Sequence, residues 1–151
     1  MKIIHLNFLK SAKNNIGVVN QLKDELFFVK KLNYKWDVEL ITFEKDDDTN
    51  FIKKIPSYLR FRVLHQLYFN LILIKKSFLY DYILIRYDPL NIFFYLFFLF
   101  KSKSSQVFFV LHADERKIIH FKYRNKLGLI LGKINLFFLK TYSKKANGII
   151  S

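Results

Sequence analysis

The sequence predicts an α/β fold, with an open, mainly parallel sheet and helices on both faces. Five strand-like segments alternate along the chain with four helical stretches, which is the order of elements in a parallel sheet with crossover helices. The strand-like segments late in the chain are unbroken apolar runs, as expected for strands covered on both faces. No Pro-, Gly- or Ser-rich linker divides the 151 residues, a length that fits one domain.

The first third of the chain predicts two strands and one helix. Residues Ile3 to Phe8 form an apolar, partly β-branched run that predicts the first strand. After a polar loop, apolar residues recur at spacings of four and three between Gly17 and Val29, which predicts a helix with one buried face. Residues Val38 to Phe43 alternate in polarity and predict the second strand, which ends at the acidic segment 44–50.

The rest of the chain repeats this alternation. The stretch from Leu59 to Ile74 has helical apolar periodicity, and Lys75 and Lys76 in its last turn suit the helix dipole. Tyr82 to Ile85 predicts the third strand, and the apolar run from Pro89 to Phe100 predicts a third helix. These segments add one more strand between two helices.

The last third predicts another strand and a long helix, which together complete a Rossmann-like sheet. Val107 to Leu111 is a fully apolar strand, and apolar residues from Ile119 to Phe137 mark one face of a helix. Gly148 to Ser151 predicts a strand that has just begun. Because the chain stops there, we expect residues 1–151 to be one truncated domain.

The net charge points to an anionic partner. The chain has 26 basic and 12 acidic residues, and residues 101–151 contribute +9 of the net charge of +14. Such a field attracts the phosphates of nucleotides, nucleic acids or anionic lipids, although Lys, Asn, Ile, Phe and Tyr are also abundant together when a gene is AT-rich. The aromatic residues lie mainly in apolar runs, which leaves little of the stacking platform of a nucleic-acid binder. We therefore predict no nucleic-acid partner.

Several classes of chemistry are excluded or disfavoured. The chain has no Cys, which excludes disulfides, a cysteine nucleophile and thiolate metal ligands. No His pair has metal-ligand spacing with a third ligand, so we predict no metal site. The four glycines match neither the dinucleotide nor the P-loop pattern, and we predict no cofactor.

The location predicted for the chain is the cytoplasm. The N-terminus has neither the long apolar run nor the cleavage site of a signal peptide. The charge-free run from Pro89 to Phe100 is shorter than the about 20 residues that a bilayer span needs. We interpret this run as a buried helix, with an interfacial segment as the alternative.

Candidate binding residues follow the predicted strands, because ligands of open parallel sheets bind beyond the carboxyl ends of the strands. Asn15 lies in the first loop, and Gly17 stands at the start of the helix that follows. The free N–H groups at the start of a helix favour an anion or sugar hydroxyls. The alternative is a solvated loop in which Gly17 serves only the turn.

Two later strand ends carry the remaining candidates. Arg86 follows the third strand, where it can clamp a phosphate or carboxylate; a structural salt bridge to Asp88 is the alternative. His112 ends the most apolar strand, where an imidazole can bind a substrate hydroxyl or stabilise a developing charge. A core histidine is the alternative, and Asp114 shares its loop.

Six segments, in their order and spacing, carry a resemblance to a known family: Lys2–Asn7, Gly17, Trp36–Thr42, Asp81–Tyr87, Phe109–His112 and Ala146–Ser151. The chain resembles the N-terminal domain of the family 4 glycosyltransferases, one half of a GT-B architecture, over essentially its whole length. The resemblance implies transfer of a sugar from a nucleotide-sugar donor to a glycan or lipid-linked acceptor, with retention and usually without a metal. Such an activity would serve surface polysaccharide synthesis, and the N-terminal domain would hold the acceptor.

By position, the resemblance implies roles for three residues. Gly17 matches the glycine-rich first loop, although Ile16 stands where many members have another glycine. Arg86 matches the family's Arg-Tyr strand end, and His112 matches the histidine that faces the cleft near the transferred sugar. We therefore predict His112 as catalytic and Asn15, Gly17, Arg86 and Asp114 as substrate-binding.

The resemblance also implies a missing partner. The donor-binding second domain, with its paired glutamates, would have to come from a parent chain or act in trans, so we do not expect activity from this chain alone. The alternative function is a non-catalytic basic domain that binds the inner membrane surface or acts as an adaptor, which the basic last third and the Phe-rich run favour.

Overall fold

The fold is that of a computed structural model, which describes residues 1–9, 16–32, 35–43, 52–86, 91–111 and 126–150. Within these ranges the elements are β1 (Ile3–Leu9), α1 (Ile16–Lys31), β2 (Trp36–Thr42), β3 (Ile52–Lys54), a 3-10 helix (Ser57–Arg60), α2 (Arg62–Ser77), β4 (Tyr82–Arg86), α3 (Phe94–Phe100), β5 (Gln106–Val110), α4 (Lys126–Ser143) and β6 (Gly148–Ile150).

The strands form one open, six-stranded sheet in the order β3-β2-β1-β4-β5-β6. Every neighbouring pair is parallel. The central strand β1 pairs with β2 on one side and β4 on the other, so that Leu6 lies opposite both Glu39 and Ile85. This is the strand order of a Rossmann-like, doubly wound fold. The predicted α/β class, with a parallel sheet and helices on both faces, is confirmed.

Helix α1 covers one face of the sheet, which we call the α1 face. Its buried Val19 and Leu22 pack against Leu9 of β1 and against Val38 and Leu40 of β2. The predicted periodicity of this helix is confirmed, and Lys30 and Lys31 lie in its last turn, where cations oppose the helix dipole favourably.

Helices α2, α3 and α4 lie together on the opposite face and form what we call the helical layer. Their buried residues Phe69 (α2), Phe94 (α3) and Tyr142 (α4) belong to the same core cluster as Ile83 of β4 and Phe109 of β5. The ring of Phe94 lies 5.3 Å from that of Phe109 and 5.6 Å from that of Tyr142. Edge-to-face aromatic pairs at these distances are attractive, which explains the use of so many Phe residues.

The structure differs from the sequence expectations in two elements. Strand β3 was not predicted; it pairs with β2 through Ile52, which packs on the α1 side. The run expected to be a buried helix forms α3, in which Phe94 and Phe97 are buried but Leu96, Leu99 and Phe100 are exposed. The run is therefore buried on one side only.

The second helix also begins later than predicted. Phe61 is extended, and it separates the 3-10 helix from α2. Helix α4 occupies the second half of the predicted long helix, whose first half lies outside the described residues. No helix in the described ranges is long and apolar enough to span a membrane.

Candidate functional site

The topology places a switch point between β1 and β4. From β1 the chain builds β2 and β3 outward on one side of the sheet, and then returns to build β4, β5 and β6 on the other side. In open parallel sheets, the crevice beyond the carboxyl ends of the strands at such a reversal is the usual ligand site. Here that crevice begins at Leu9 and Arg86, the last residues of β1 and β4.

Arg86 lies at this crevice, as the sequence predicted. It is the last residue of β4, pairs in register with Val110 of β5, and is half-buried. Because Leu6 and Ile85 are paired, Arg86 and Asn7 each lie one position further along neighbouring strands. Side chains alternate along a strand, so Arg86 and Asn7 project from the same face, which is the α1 face.

Asn7 is the residue that sequence reasoning missed. Its side chain is fully buried, and among the described residues neither its amide oxygen nor its amide nitrogen has a hydrogen-bond partner. An unpaired buried amide costs about 1–3 kcal/mol. The sequence could not show this, because a single Asn near the end of a strand gives no sign of what surrounds its side chain.

His5 and Glu25 form a second polar pair on the same face, and His5 precedes Asn7 by two residues in β1. His5 is buried, and its Nδ1 lies 2.8 and 2.9 Å from the two carboxylate oxygens of Glu25 on α1. A carboxylate only accepts hydrogen bonds, so Nδ1 carries the proton that is donated. The other ring nitrogen, Nε2, is buried without a partner among the described residues. The sequence assigned His5 no role.

Gly17 is the second residue of α1, rather than part of the turn before it. It is exposed, and a Cβ atom built on it would meet nothing within 4 Å. Packing within the described structure therefore does not require glycine here. The first N–H groups of a helix have no intrahelical acceptor, and no described atom outside the helix lies within 4 Å of the Cβ position at Gly17.

The other predicted site residues, Asn15, His112 and Asp114, lie outside the described residues. Strand β5 ends at Val110, two positions before His112 in the sequence, and the Leu111 N–H donates to the Ile150 carbonyl 2.8 Å away. The structure therefore brings Arg86 to the switch point with Asn7, and it tests the role of none of the predicted site residues.

Two surface depressions lined by described residues lie at the opposite edge of the sheet. One, of about 370 Å³, includes Asp81 and Gln106, and the other, of about 410 Å³, includes Trp36 and Tyr80. These residues stand at or before the amino ends of the strands, where parallel sheets seldom bind ligands. We therefore place the site at the carboxyl edge.

The rim of the second depression contains a short hydrogen bond. The Tyr80 hydroxyl donates to Asp37 at 2.6 Å. Burial raises the pKa of Tyr80 well above its usual value, and the hydrogen bond to Asp37 and the negative charges of Asp37 and Glu39 raise this pKa further. In the parts of the chain that the structure describes, no group of three His, Cys, Asp or Glu residues could hold a metal ion.

Comparisons of the chain with protein-family models, with curated proteins and with solved structures found no match. The fold and the position of the site thus define an open, doubly wound α/β domain with a polar crevice at its switch point. The resemblance to the family 4 glycosyltransferases stays a prediction from the sequence.

Proposed function

We propose that the chain is the acceptor-side domain of a sugar-transferring enzyme, which binds a glycan or lipid-linked acceptor during surface polysaccharide synthesis. The observation that carries the proposal is the switch point between β1 and β4. There Arg86 shares one face of the sheet with Asn7, whose buried amide has no partner among the described residues. An amide and a guanidinium are suited to the hydroxyls and phosphates of such acceptors.

The proposed roles divide between binding and catalysis. Arg86 binds a phosphate or carboxylate of the ligand, and Asn15 and Asp114 hydrogen-bond its hydroxyls. Asn7 is fully buried, so its amide reaches a ligand hydroxyl only if the α1 face opens at the crevice. The open first turn of α1 at Gly17 leaves N–H groups for an anion. The resemblance gives His112 the catalytic position next to the transferred sugar.

Transfer requires a nucleotide-sugar donor, which a second domain would bind, in the same parent chain or in trans. This chain contributes acceptor binding to the proposed reaction, which would take place in the cytoplasm, at the inner face of the membrane. The basic last third of the sequence favours such a surface.

The proposal is tested first on binding, which needs no donor domain. The chain is titrated with short glycans and with lipid-linked saccharides in detergent, and binding is followed by ligand-observed NMR. Arg86→Ala and Asn7→Ala should each weaken binding by about tenfold or more, since each removes hydrogen bonds to a buried ligand group. Lys103→Ala, at an exposed turn near the amino edge, is the control and should bind normally.

The second test is transfer, with a donor-binding domain added in cis or in trans. His112→Ala should then lower kcat by about a hundredfold or more, whereas His120→Ala, at a residue with no assigned role, should not. If no saccharide binds, or if His112→Ala leaves turnover unchanged, the proposal fails. Vesicle binding without any saccharide binding would favour the second candidate, a non-catalytic membrane-surface or adaptor domain.

A further inference from the structure

The outer surface of the helical layer is apolar on all three of its helices. On α2, Leu64, Leu71 and Phe78 are exposed at intervals of seven residues, so they lie on one side of the helix. Leu71 is 55% exposed, which is far more than a core position allows. This stripe faces away from the sheet, because Phe69 and Leu73 of the same helix are buried in the core.

Helices α3 and α4 extend this apolar surface. On α3, Leu99 and Phe100 are exposed, and Phe100 is 60% exposed. On α4, Ile130, Ile134 and Phe137 are exposed at spacings of four and three, and Phe137 is 65% exposed. Soluble monomers rarely leave a continuous apolar surface of this kind uncovered.

Contacts between the helices place them side by side. A buried 3.0 Å hydrogen bond from the Asn70 amide nitrogen of α2 reaches the side-chain oxygen of Asn91, three residues before α3. Next to α4, Nζ of Lys145 lies 4.3 Å from the centre of the Tyr95 ring of α3. The exposed stripes of the three neighbouring helices therefore lie on the same side of the sheet.

Among the described residues, the charged side chains on these three helices are all basic. Helices α2, α3 and α4 contain no Asp or Glu. The exposed lysines on or next to them are Lys75, Lys103, Lys133, Lys140, Lys144 and Lys145. The two described acidic residues nearest to the layer are Glu39 of β2, which pairs with Lys76 of α2, and Asp81, which lies between α2 and β4.

Exposed apolar side chains with lysines among them match the chemistry of an anionic lipid surface. Aromatic and aliphatic side chains enter the boundary between headgroups and acyl chains, while lysines extend their amines to the phosphates. On α4, Lys133, Lys140 and Lys144 form a row beside the Ile130, Ile134 and Phe137 stripe. A protein partner would need an acidic rim to pair with the same lysines, and the lipid-depth measurement described below distinguishes it from a bilayer.

We infer that the outer surface of the helical layer docks the protein on an anionic bilayer. Phe78, Phe100 and Phe137 enter the interfacial region, and the lysines contact lipid phosphates. The surface lies on the opposite side of the sheet from Asn7, so docking leaves the α1 face uncovered. The inference is independent of the proposed sugar transfer, because it rests on residues outside the switch-point crevice.

The test is flotation of the chain with vesicles of phosphatidylcholine alone and with vesicles that also contain phosphatidylglycerol. We expect at least about tenfold stronger binding to the anionic vesicles, which added salt weakens. The double variant Lys133→Glu/Lys140→Glu should abolish that preference, and Leu71→Ser/Phe137→Ser should weaken binding to both vesicles.

Helix α1 provides the matched control, since it also exposes two phenylalanines and three lysines but carries acidic residues. Phe27→Ser/Phe28→Ser and Lys30→Glu/Lys31→Glu should leave vesicle binding unchanged. All these positions are exposed, and thermal unfolding would identify any variant that fails to fold. If the α1 variants weaken binding as much as the helical-layer variants do, the inference is wrong.

A depth measurement separates docking from association between copies of the chain. With Trp36 replaced by Phe, a Trp introduced by Phe137→Trp should shift to shorter emission wavelengths on vesicles and be quenched by brominated lipid, whereas Phe28→Trp should show neither change. Sedimentation without lipid gives the oligomeric state. A dimer that Phe137→Ser dissociates, together with no vesicle binding, would identify the surface as an interface between copies and overturn the inference.

Discussion

The two faces of the sheet are built differently. Among the described residues, fourteen aromatic and aliphatic side chains form the buried cluster under the helical layer, whereas six form the buried cluster under α1. The larger cluster is joined by aromatic ring pairs. The face with the larger cluster therefore holds most of the stabilising apolar burial.

The hydrogen bonding of the buried polar side chains also differs between the two faces. Under the helical layer, the Asn70 amide donates to the Gln66 carbonyl at 2.7 Å and to Asn91 at 3.0 Å. On the α1 face, neither polar atom of the Asn7 side chain has a partner among the described residues, whereas Asn70 and Asn91 each leave one side-chain atom unpaired, Oδ1 and Nδ2 respectively. Folding alone gives no reason to keep an unpaired buried amide. This difference supports the proposal that the ligand site lies on the α1 face, while the helical layer supplies the larger apolar core.

The largest effect expected from this difference concerns two neighbouring residues of β5. Phe109 is fully buried under the helical layer, while Phe108 points to the α1 face, is half-buried and stacks on Tyr82 with 6.3 Å between the ring centres. Phe109→Ala should lower the free energy of unfolding by about 3–5 kcal/mol. Phe108→Ala should lower it by only about 1–2 kcal/mol, because less of its ring is buried.

Urea unfolding followed by circular dichroism measures both values, and the slope of each transition shows whether unfolding stays two-state. The two substitutions remove the same atoms from adjacent positions of one strand, so each serves as the other's control. Equal losses would show that the two faces contribute equally and would break the comparison.

The strands and helices of both faces were largely predictable from the sequence, whereas the surroundings of Asn7 were not. Unbroken apolar runs such as Val107 to Val110 identify strands covered on both sides, and these runs give the order of strands and helices. Strand β3 was not predicted because it has only three residues, of which Ile52 alone is a buried apolar side chain. A pattern this short cannot be recognised in the sequence. Whether Asn7 has a partner depends on residues distant in the chain, which no local pattern records.

Helix α3 shows a second limit. All seven of its residues are apolar, so the sequence has no polar face that could indicate which side points to solvent. The structure identifies the buried side of α3, because Phe94 and Phe97 belong to the core cluster that packs on the sheet. For the site, the sequence correctly predicted the position of Arg86 at the end of β4, because charged residues after a buried strand mark the carboxyl edge.

The next prediction compares the same substitution on the two faces. Asn7→Leu should raise the free energy of unfolding by about 1–2 kcal/mol, because it removes an unpaired buried amide and replaces it with a side chain of similar shape. Asn70→Leu should lower it by about 1–3 kcal/mol, since it breaks the hydrogen bonds to Gln66 and Asn91. Urea unfolding of both variants checks the two signs.

The comparison between the two faces depends on the opposite signs of these two changes in the free energy of unfolding. If Asn7→Leu stabilises the chain and also removes saccharide binding, Asn7 is kept for a ligand at the expense of stability. If it destabilises the chain as much as Asn70→Leu does, the fold needs the Asn7 amide. The assignment of the α1 face to ligand binding would then lose its main support.

The smallest effect is expected at the amino edge of the sheet, at the hydrogen bond from Tyr80 to Asp37. The pKa of Tyr80 is raised in the folded chain, first by burial and then by Asp37. Its hydroxyl therefore stays protonated at a pH at which an unfolded tyrosine, with a pKa of about 10, has ionised. The stability that it contributes is complete below that pH and is lost as the pH rises above it.

Tyr80→Phe should accordingly lower the free energy of unfolding by less than about 1 kcal/mol at pH 8, because the bond is exposed to solvent. The urea midpoints of the wild-type chain and the variant should converge as the pH is raised above about 10. Tyr58→Phe, at an exposed tyrosine, controls for general alkaline effects. A loss at pH 8 as large as that of Asn70→Leu would show that rim hydrogen bonds stabilise this fold as much as buried ones, and the contrast between the two faces would then explain less of its stability.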